Sequence, residues 1–334
     1  MQAGHTALPE KELHCIPNDV RKNFALDILE GLNASPRHFS SKYFYDEKGD
    51  KIFQQIMSSP EYYLTKCETE ILSLQADAIA DTFHSLLPGF DLVELGAGDC
   101  AKTKHLLNSL LKKDIPYTFY PVDISSYTIA DLENRLPKEL PGIKVHGICG
   151  EFFEALDRVN VLSSKPKAVL FLGSTIGNMN PLEGQAFFQQ LSKRLNPNDL
   201  LLTGFDLQKN PHTVLHAYDD AAGLTKAFNL NLLERINREL DADFNLEKFD
   251  HWEQYDVETG ACKSYLISLE NQTVTLGKLQ KSFDFENGEY IFTEISQKYT
   301  RQQIADFALN SGFVPVTDFM DEKGWFVDAL WQLK

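Results

Sequence analysis

The segment DLVELGAGDCAKT, residues 91–103, brings Gly96 and Gly98 to the end of an apolar run, with the acids Glu94 and Asp99 on either side. A short apolar strand, a glycine turn and a helix start form the arrangement in which an α/β protein cradles a nucleotide. Ala101 stands where the dinucleotide fingerprint carries its third glycine, a tolerated variant, so the loop alone is compatible with NAD, FAD or S-adenosylmethionine. The flanking acids discriminate between these, because they suit the cationic methionine end of S-adenosylmethionine and would oppose a pyrophosphate. Asp123, ending the next apolar run in YPVDIS, is placed to accept from ribose hydroxyls; the plainer alternative is an acid that caps a turn. In CGEFF, Glu151 can take an adenine amino group while Phe152 lies against the ring; otherwise Phe152 is core and Glu151 is solvated. His212 and His216 are four apart with Asp219 and Asp220 nearby, but no Glu completes H-E-x-x-H, so they are taken as a chance pair and no metal is expected.

The elements that must position these residues sit in a chain of 334 residues, 43% hydrophobic and 24% charged, long enough for two domains or one α/β domain with an insertion. A formal charge of −16 argues against a nucleic-acid partner and against an anionic membrane surface. Five scattered cysteines (Cys15, Cys67, Cys100, Cys149, Cys262) without a Cys-x-x-Cys argue against a disulfide framework or zinc site and for a reducing compartment. The N-terminus lacks the apolar core of a signal peptide, and no apolar run approaches the ~20 residues that span a bilayer. The expectation is a soluble, cytoplasmic protein acting on a small molecule, with neither nucleic acid nor membrane as partner; a monomer suffices.

From about residue 68 helical and strand patterns alternate. ETEILSLQADAIADTFHSLL reads as a helix and FDLVELGA as a buried strand. AKTKHLLNSLLKK, SYTIADLENRL and EGQAFFQQLSKRL are helical; YTFYPVDIS, IKVHGIC, KAVLFLGS and DLLLTGFDL are strands. Strands interleaved with helices mean a parallel sheet covered on both faces. TRQQIADFALNSG is a helix stopped by Gly312, and FVPVTDFMDEKGWFVDALWQLK reads as two strands joined at DEKG. An α/β sheet closed by such a terminal hairpin is the Rossmann-like plan of class I methyltransferases, which adds weight to S-adenosylmethionine over NAD. Between about residues 209 and 298 a long helical stretch, PHTVLHAYDDAAGLTKAFNLNLLERINREL, precedes strands of strict alternation. The expected division is 68–208 with 299–334 as the methyltransferase domain, and 1–67 with 209–298 as an α+β substrate-binding lid.

KYFYDEKGDKIFQQIMSSPEYYLTKCETEIL, VELGAGDCAKTK, FLGSTIGN, AYDDAAGLTKAFNLNLLERINREL and TEISQKY, in this order from about residue 20 onward, together resemble the histidine Nα-methyltransferases of ergothioneine biosynthesis. That family's relatives include fungal enzymes that methylate a tryptophan-derived amine. The resemblance implies transfer of three methyl groups from S-adenosylmethionine to the α-amino group of L-histidine, giving hercynine and S-adenosylhomocysteine; the alternative is another amino acid or amine, such as a tryptophan derivative. It implies cofactor contacts at Tyr45, Gly96, Lys102, Asp123, Glu151 and Phe152. It also implies substrate contacts at Phe53, Tyr62, Gly173, Asn178, Tyr218, Glu294 and Ser296. A non-catalytic S-adenosylmethionine-binding protein or an NAD oxidoreductase is the reading from another class.

The chemistry of these residues agrees with such roles. Glu294 and Ser296, two apart on a strand, should share a face with Phe292 while Ile291, Thr293 and Ile295 face away. A carboxylate beside a hydroxyl suits an imidazole, which offers one N–H and one lone pair, and would reject an apolar ring. The plainer alternative is an exposed polar strand face. Asn178 and the Tyr218 phenol could hold a substrate carboxylate without a formal positive charge, though Asn also commonly caps a turn. The rings of Tyr45, Phe53 and Tyr62 suit a product that ends as a trimethylammonium, Phe53 alone reading as core. No His or Lys stands out as a general base, and Tyr45 is the candidate catalytic residue, orienting the amine directly or through a water. Two positions depart from the family pattern. Ser264 occupies a strand where histidine-specific members resemble each other in having Met, and Glu151 stands where the adenine-side acid is usually Asp.

Overall fold

The computed structural model describes residues 17–334, with side chains from residue 24 onward; Cys15 and the start of the expected lid lie outside the described residues. Helices α1 (Pro17–Asn33), α2 (Glu47–Ser58), α3 (Tyr63–Leu74) and α4 (Ala76–Leu86) precede the first strand. An alternating run follows: β1 (Phe90–Leu95), α5 (Thr103–Lys112), β2 (Tyr117–Asp123), α6 (Ser126–Glu139), β3 (Ile148–Cys149), α7 (Phe152–Leu162), β4 (Lys167–Phe171), α8 (Pro181–Ser192) and β5 (Leu200–Asp206). Helices α9 (Pro211–His216) and α10 (Leu224–Leu240) lead to β6 (Phe249–Asp256), β7 (Ala261–Ser268), β8 (Gln272–Leu276), β9 (Lys281–Phe285) and β10 (Tyr290–Gln297). The chain returns through α11 (Arg301–Asn310) to β11 (Phe313–Met320) and β12 (Phe326–Leu333).

The main sheet has seven strands in the order β11-β12-β5-β4-β1-β2-β3. β1, β2, β3, β4 and β5 run parallel, and β12 is antiparallel to both β5 and β11. This is the class I methyltransferase sheet, expected from the alternation and the terminal hairpin. Every residue of β1, β4 and β5 is buried, which is why these strands read as mainly apolar runs. The edge strand β11 is mostly exposed and carries Pro315 at a register shift, two devices that discourage further strand pairing. Two smaller antiparallel sheets, β10-β7-β6 and β8-β9, form from the segment after α10.

One core packs Val93, Val122, Val169, Phe171, Phe188, Phe205 and Trp331 against one face of the main sheet. The other is continuous from Phe83, Leu92 and Leu202 through α1 and α10 to Phe249 and Phe285, so the later small sheets share it with the parallel strands. The boundary expected between 67 and 68 falls inside α3, whose Cys67, Glu68 and Ile71 are all buried.

The element pattern departs from expectation where backbone geometry intervenes. The helix expected over ETEILSLQADAIADTFHSLL is two helices meeting at Gln75. The long helical stretch after residue 210 breaks at Gly223, whose φ of +69° is left-handed, and Asp220 caps the new start by accepting from the Leu224 and Thr225 amides, both at 2.8 Å. The strand expected over IKVHGIC shrinks to Ile148–Cys149, since the Gly147 amide bonds the Glu133 side chain at 2.8 Å instead of a strand. Cys67, Cys100 and Cys262 are free thiols. Among the described residues no helix is long and apolar enough to cross a membrane.

Gly204, at the centre of β5, is required by its neighbours. A Cβ there would stand 2.4 Å from Glu68 Oε1 and 3.1 Å from two ring carbons of Phe326. Glu68 is fully buried and held at both oxygens, so it cannot step aside. Gly204→Ala should therefore destabilise the fold by about 1–3 kcal/mol, the range for overpacking a filled core. A thermal melt no lower than that of the parent would show that Glu68 can move.

Candidate active site

The loop after β1 closes on itself through backbone amides. Gly96, at φ +77°, and Ala97 both donate to the Val122 carbonyl, at 2.9 and 3.0 Å, which fastens the turn to β2. Asp123 accepts from the Gly98 amide with Oδ2 at 3.1 Å and from the Ser125 amide with Oδ1 at 2.9 Å. The turn-capping alternative for Asp123 thus holds, yet each oxygen keeps a lone pair and the side chain is only half-buried. A Cβ on Gly96 would lie 3.7 Å from the Phe152 ring, which is backed by Phe171 at 5.6 Å and Phe187 at 6.3 Å between centroids. Glu151 is exposed at the start of α7. Gly96, Asp123, Glu151 and Phe152 therefore gather at the C-terminal ends of β1, β2 and β3.

The acids beside the glycines behave differently from expectation. Glu94 is buried, accepting from Thr103 Oγ1 at 2.5 Å and Cys100 Sγ at 3.6 Å, and burial pushes its carboxyl up to about 8. It ties the loop to α5 instead of facing a ligand. Asp99 accepts the Ala101 amide at 2.9 Å and shapes the turn. Lys102 pairs with Glu68, whose other oxygen accepts the Gly173 amide at 2.6 Å, so one buried carboxylate clamps α5, α3 and the end of β4. Glu68 lay unremarked in the sequence: an acid in a helical run gives no sign that it is buried. Asp328, fully buried with neither oxygen hydrogen-bonded among the described residues, has its carboxyl pushed well up by burial and by Glu68.

Four aromatic rings form a continuous wall. Tyr45 and Phe53 are 5.5 Å apart between centroids, Phe53 and Tyr62 6.3 Å, and Tyr62 and Tyr218 6.1 Å, all edge to face. Phe228 of α10 backs Tyr45 and Phe53, each at 5.6 Å. Its only trace in the sequence is helical periodicity. Tyr45 is 37% exposed, and burial of its hydroxyl end, with Glu294 and Tyr62 nearby, holds the phenol well above its usual range.

On the sheet β10-β7-β6, Glu294, Ser264 and Glu253 stand in register across three strands. A β-bulge between Phe292 and Glu294 corrects the expected alternation. It pairs Phe292 with Tyr265, on the face opposite Glu294, where their rings lie 5.8 Å apart. Past the bulge Glu294 and Ser296 do share a face. Burial, then the charge of Glu253, pushes the Glu294 carboxyl up to about 8 against the opposing pull of Lys298. Ser264 spends its hydroxyl on Glu253 Oε1 at 2.5 Å, and His251 Nε2 lies 3.1 Å from the same oxygen.

Tyr218 Oη is 2.6 Å from Ser296 Oγ, and the fully buried Lys298 donates to both, at 2.7 and 2.8 Å. A positive charge thus stands directly behind Tyr218, contrary to the expectation of an uncharged arrangement. Lys298 was legible in principle, since Glu294, Ser296 and Lys298 alternate along TEISQK. Asn178 is exposed at the end of the turn Thr175–Asn178, which packs so tightly on β10 that a Cβ on Gly177 would meet Gln297 O at 3.1 Å. Gly173, at φ +74° and exposed, begins the same segment. His212 and His216 are both exposed on α9, and the Asp220 carboxylate is consumed in capping α10.

The residues present fit an adenosine-bearing cofactor. Left-handed Gly98, open to its surroundings, donates to Asp123, which keeps free lone pairs, and left-handed Gly96 lies against the backed aromatic ring of Phe152. The family described as histidine-specific, SAM-dependent methyltransferases matches residues 24–333. Histidine N-alpha-methyltransferase of Mycolicibacterium smegmatis is 35% identical over 90% of this chain and 92% of its own length. Ergothioneine biosynthesis protein 1 of Schizosaccharomyces pombe is 32% identical over 84% of this chain and 37% of its own. The L-tryptophan methyltransferase of Psilocybe serbica is 30% identical over 90% of both chains. With nearly its whole described length matched and the glycine loop, sheet order and terminal hairpin all in place, the chain belongs to the histidine-specific, S-adenosylmethionine-dependent methyltransferases.

Proposed function

We propose that this enzyme transfers three methyl groups to the α-amino group of L-histidine, giving hercynine and S-adenosylhomocysteine. The observation that carries this reading is the pair Glu294 and Ser296, set on one strand face beyond an aromatic wall. A carboxyl oxygen accepts the imidazole N–H and a hydroxyl donates to the bare ring nitrogen, a match that an indole cannot make. Phe53, Tyr62, Gly173, Asn178 and Tyr218 complete the substrate contacts in this reading. Tyr45, Gly96, Lys102, Asp123, Glu151 and Phe152 hold the cofactor. Residues 68–208 with 299–334 serve as the cofactor unit, and the chain up to 67 with 209–298 as the substrate-binding cover. The enzyme acts as a cytoplasmic monomer on this view.

S-adenosylmethionine, when bound, supplies a methyl already activated on a sulfonium, so no metal or covalent intermediate is required. The protein's task is to present an unprotonated amine in line with that methyl, and orientation of this kind is worth up to about 7–11 kcal/mol. Tyr45 keeps its proton at neutral pH, because burial holds its phenol high. It therefore orients the amine as a hydrogen-bond partner and does not act as a phenolate base. The ring faces of Tyr45, Phe53 and Tyr62 favour the cation that accumulates as methyls are added.

A second reading, an amine of the tryptophan type, is favoured by Ser264, which leaves the wall beside Glu294 smaller than a Met would. Mass spectrometry after incubation with S-adenosylmethionine and equimolar L-histidine and L-tryptophan separates the two. Mass gains of one, two and three methyls on histidine alone are expected; methylated tryptophan would move the assignment to the second reading. Tyr45→Phe should lower kcat by ~10–100-fold at saturating substrates, the scale of a misplaced reacting group; an unchanged kcat would remove Tyr45 from the mechanism. Glu294 also leaves a mark on stability. Its carboxyl moves from 4.5 to about 8 on folding. Between these values the folded chain keeps a proton that the unfolded chain has lost, so stability falls as pH rises through that window. Glu294→Gln, which cannot ionise, should melt higher than the parent at pH of about 8.5 and lose that advantage near pH 5; a difference independent of pH would mean Glu294 titrates normally.

A further inference from the structure

The triangle of Lys298, Tyr218 and Ser296 can be counted hydrogen by hydrogen. An ammonium has three N–H donors and no acceptor, and a hydroxyl has one donor and two lone pairs. All three Lys298 hydrogens have partners: Asp206 Oδ2 at 2.8 Å, Tyr218 Oη at 2.7 Å and Ser296 Oγ at 2.8 Å. Burial would lower the Lys298 ammonium, but Asp206, together with neighbouring Cys262 and Tyr62, outweighs it and holds the group charged. Tyr218 and Ser296 are 2.6 Å apart, so one hydroxyl hydrogen is used between them. That leaves a single O–H for the substrate.

The phenol is the stronger acid of the two hydroxyls, and its contact with an ammonium strengthens it as a donor, so Tyr218 donates to Ser296. Ser296 Oγ then has both lone pairs filled, one from Tyr218 and one from Lys298. It can only donate. Glu294, two residues earlier on the same face, can accept. An acceptor beside an obligate donor matches a ring with one N–H and one bare nitrogen. Tyr218, its hydrogen spent, has no donor left for a substrate carboxylate, which falls to Asn178.

We propose that Lys298 is a positioning residue that commits Ser296 to donate and thereby sets the enzyme's preference for a neutral imidazole ring. The proposal rests on the histidine reading above. It gives Lys298 no contact with substrate; the residue acts only through the two hydroxyls.

The test compares L-histidine with 3-(pyrrol-2-yl)-L-alanine, which keeps the five-membered ring and an N–H but has no bare ring nitrogen. Lys298→Met and Ser296→Ala should each raise the KM for histidine by ~30-fold or more, leave kcat within about threefold, and change kcat/KM for the pyrrole by less than about fivefold, on the pattern of a lost hydrogen bond to a buried polar site. The double variant should be no worse than either single, because the two residues act as one unit. Should Lys298→Met fail to fold although Lys209 and Tyr63 still hold Asp206, Asp206→Asn/Lys209→Met/Lys298→Met removes all three buried charges and is expected to show the same collapse of preference. Equal losses on both substrates, an intact preference, or multiplicative losses in the double variant would overturn the proposal. If the parent enzyme ignores histidine, the histidine reading fails and takes this proposal with it. If the parent turns histidine over while the variants keep their preference, only the role of Lys298 fails.

Discussion

A buried ion pair, Asp206 with Lys298, joins the parallel sheet to the small antiparallel sheet. Asp206 ends β5, the outermost of the parallel strands on the β12 side, and Lys298 follows β10 in the small antiparallel sheet. Both are fully buried, and Asp206 also accepts from Tyr63 at 2.7 Å and from Lys209. Backbone bonds continue the join, with the Tyr299 amide donating to Asp206 O and the Gln208 amide to Tyr299 O, both at 2.9 Å. Desolvating such charges is expensive, and removing one partner of a buried pair commonly costs about 3–5 kcal/mol, so the arrangement survives only because every oxygen and hydrogen in it is matched. What it secures is position. Ser296 and Tyr218 stand where Lys298 holds them, and the start of α3 is fixed by Tyr63.

Carboxylates elsewhere show how burial divides chemically identical groups. Glu94 and Glu294 are both pushed up to about 8, mainly by burial. Glu94 has Thr103 and Cys100 as partners, and its chemistry is finished within the protein. Glu294 meets the like charge of Glu253 and the weaker opposing pull of Lys298, with no hydrogen bond among the described residues to relieve it. An unsatisfied acid on the wall of a site is a group waiting for a donor, and that distinguishes the two more sharply than the size of the shift. Glu68 is a third case, where two donors, Lys102 and the Gly173 amide, saturate it.

The parallel sheet, the glycine loop and the closing hairpin were legible because each rests on local pattern: apolar runs, left-handed glycines, and a turn between alternating strands. Gly96, Asp123 and Phe152 came together for the same reason, all lying at strand ends whose order the alternation implies. The misses share a different cause. Glu68 and Lys298 are charged residues in otherwise amphipathic segments, and single-sequence pattern assigns charge to solvent. Their burial depends on partners 105 and 92 residues away, Gly173 and Asp206. The bulge at Phe292 is a one-residue insertion in one strand against its neighbour, invisible until both strands are paired. It reversed the face assigned to Phe292 while leaving Glu294 and Ser296 together, because they lie on the same side of it.

The bulge also explains how a polar wall can stand beside an apolar one. Before it, Ile291 faces the core with Leu266; after it, Glu294 faces the same way with Ser264 and Glu253. The face therefore changes from apolar to polar over three residues, without changing side. Ser264 does not contribute a free hydroxyl there, since Glu253 has taken it, and His251 lies against the same carboxylate. The space a larger apolar residue would fill is bordered by a completed polar group instead. An indole laid against this wall would meet Glu294 without a second hydrogen bond to offer in return, and each buried polar group left unpaired costs about 1–3 kcal/mol. Losing a bulky apolar contact at Ser264 need not relax the choice of ring, because the polarity on either side of it works in the same direction.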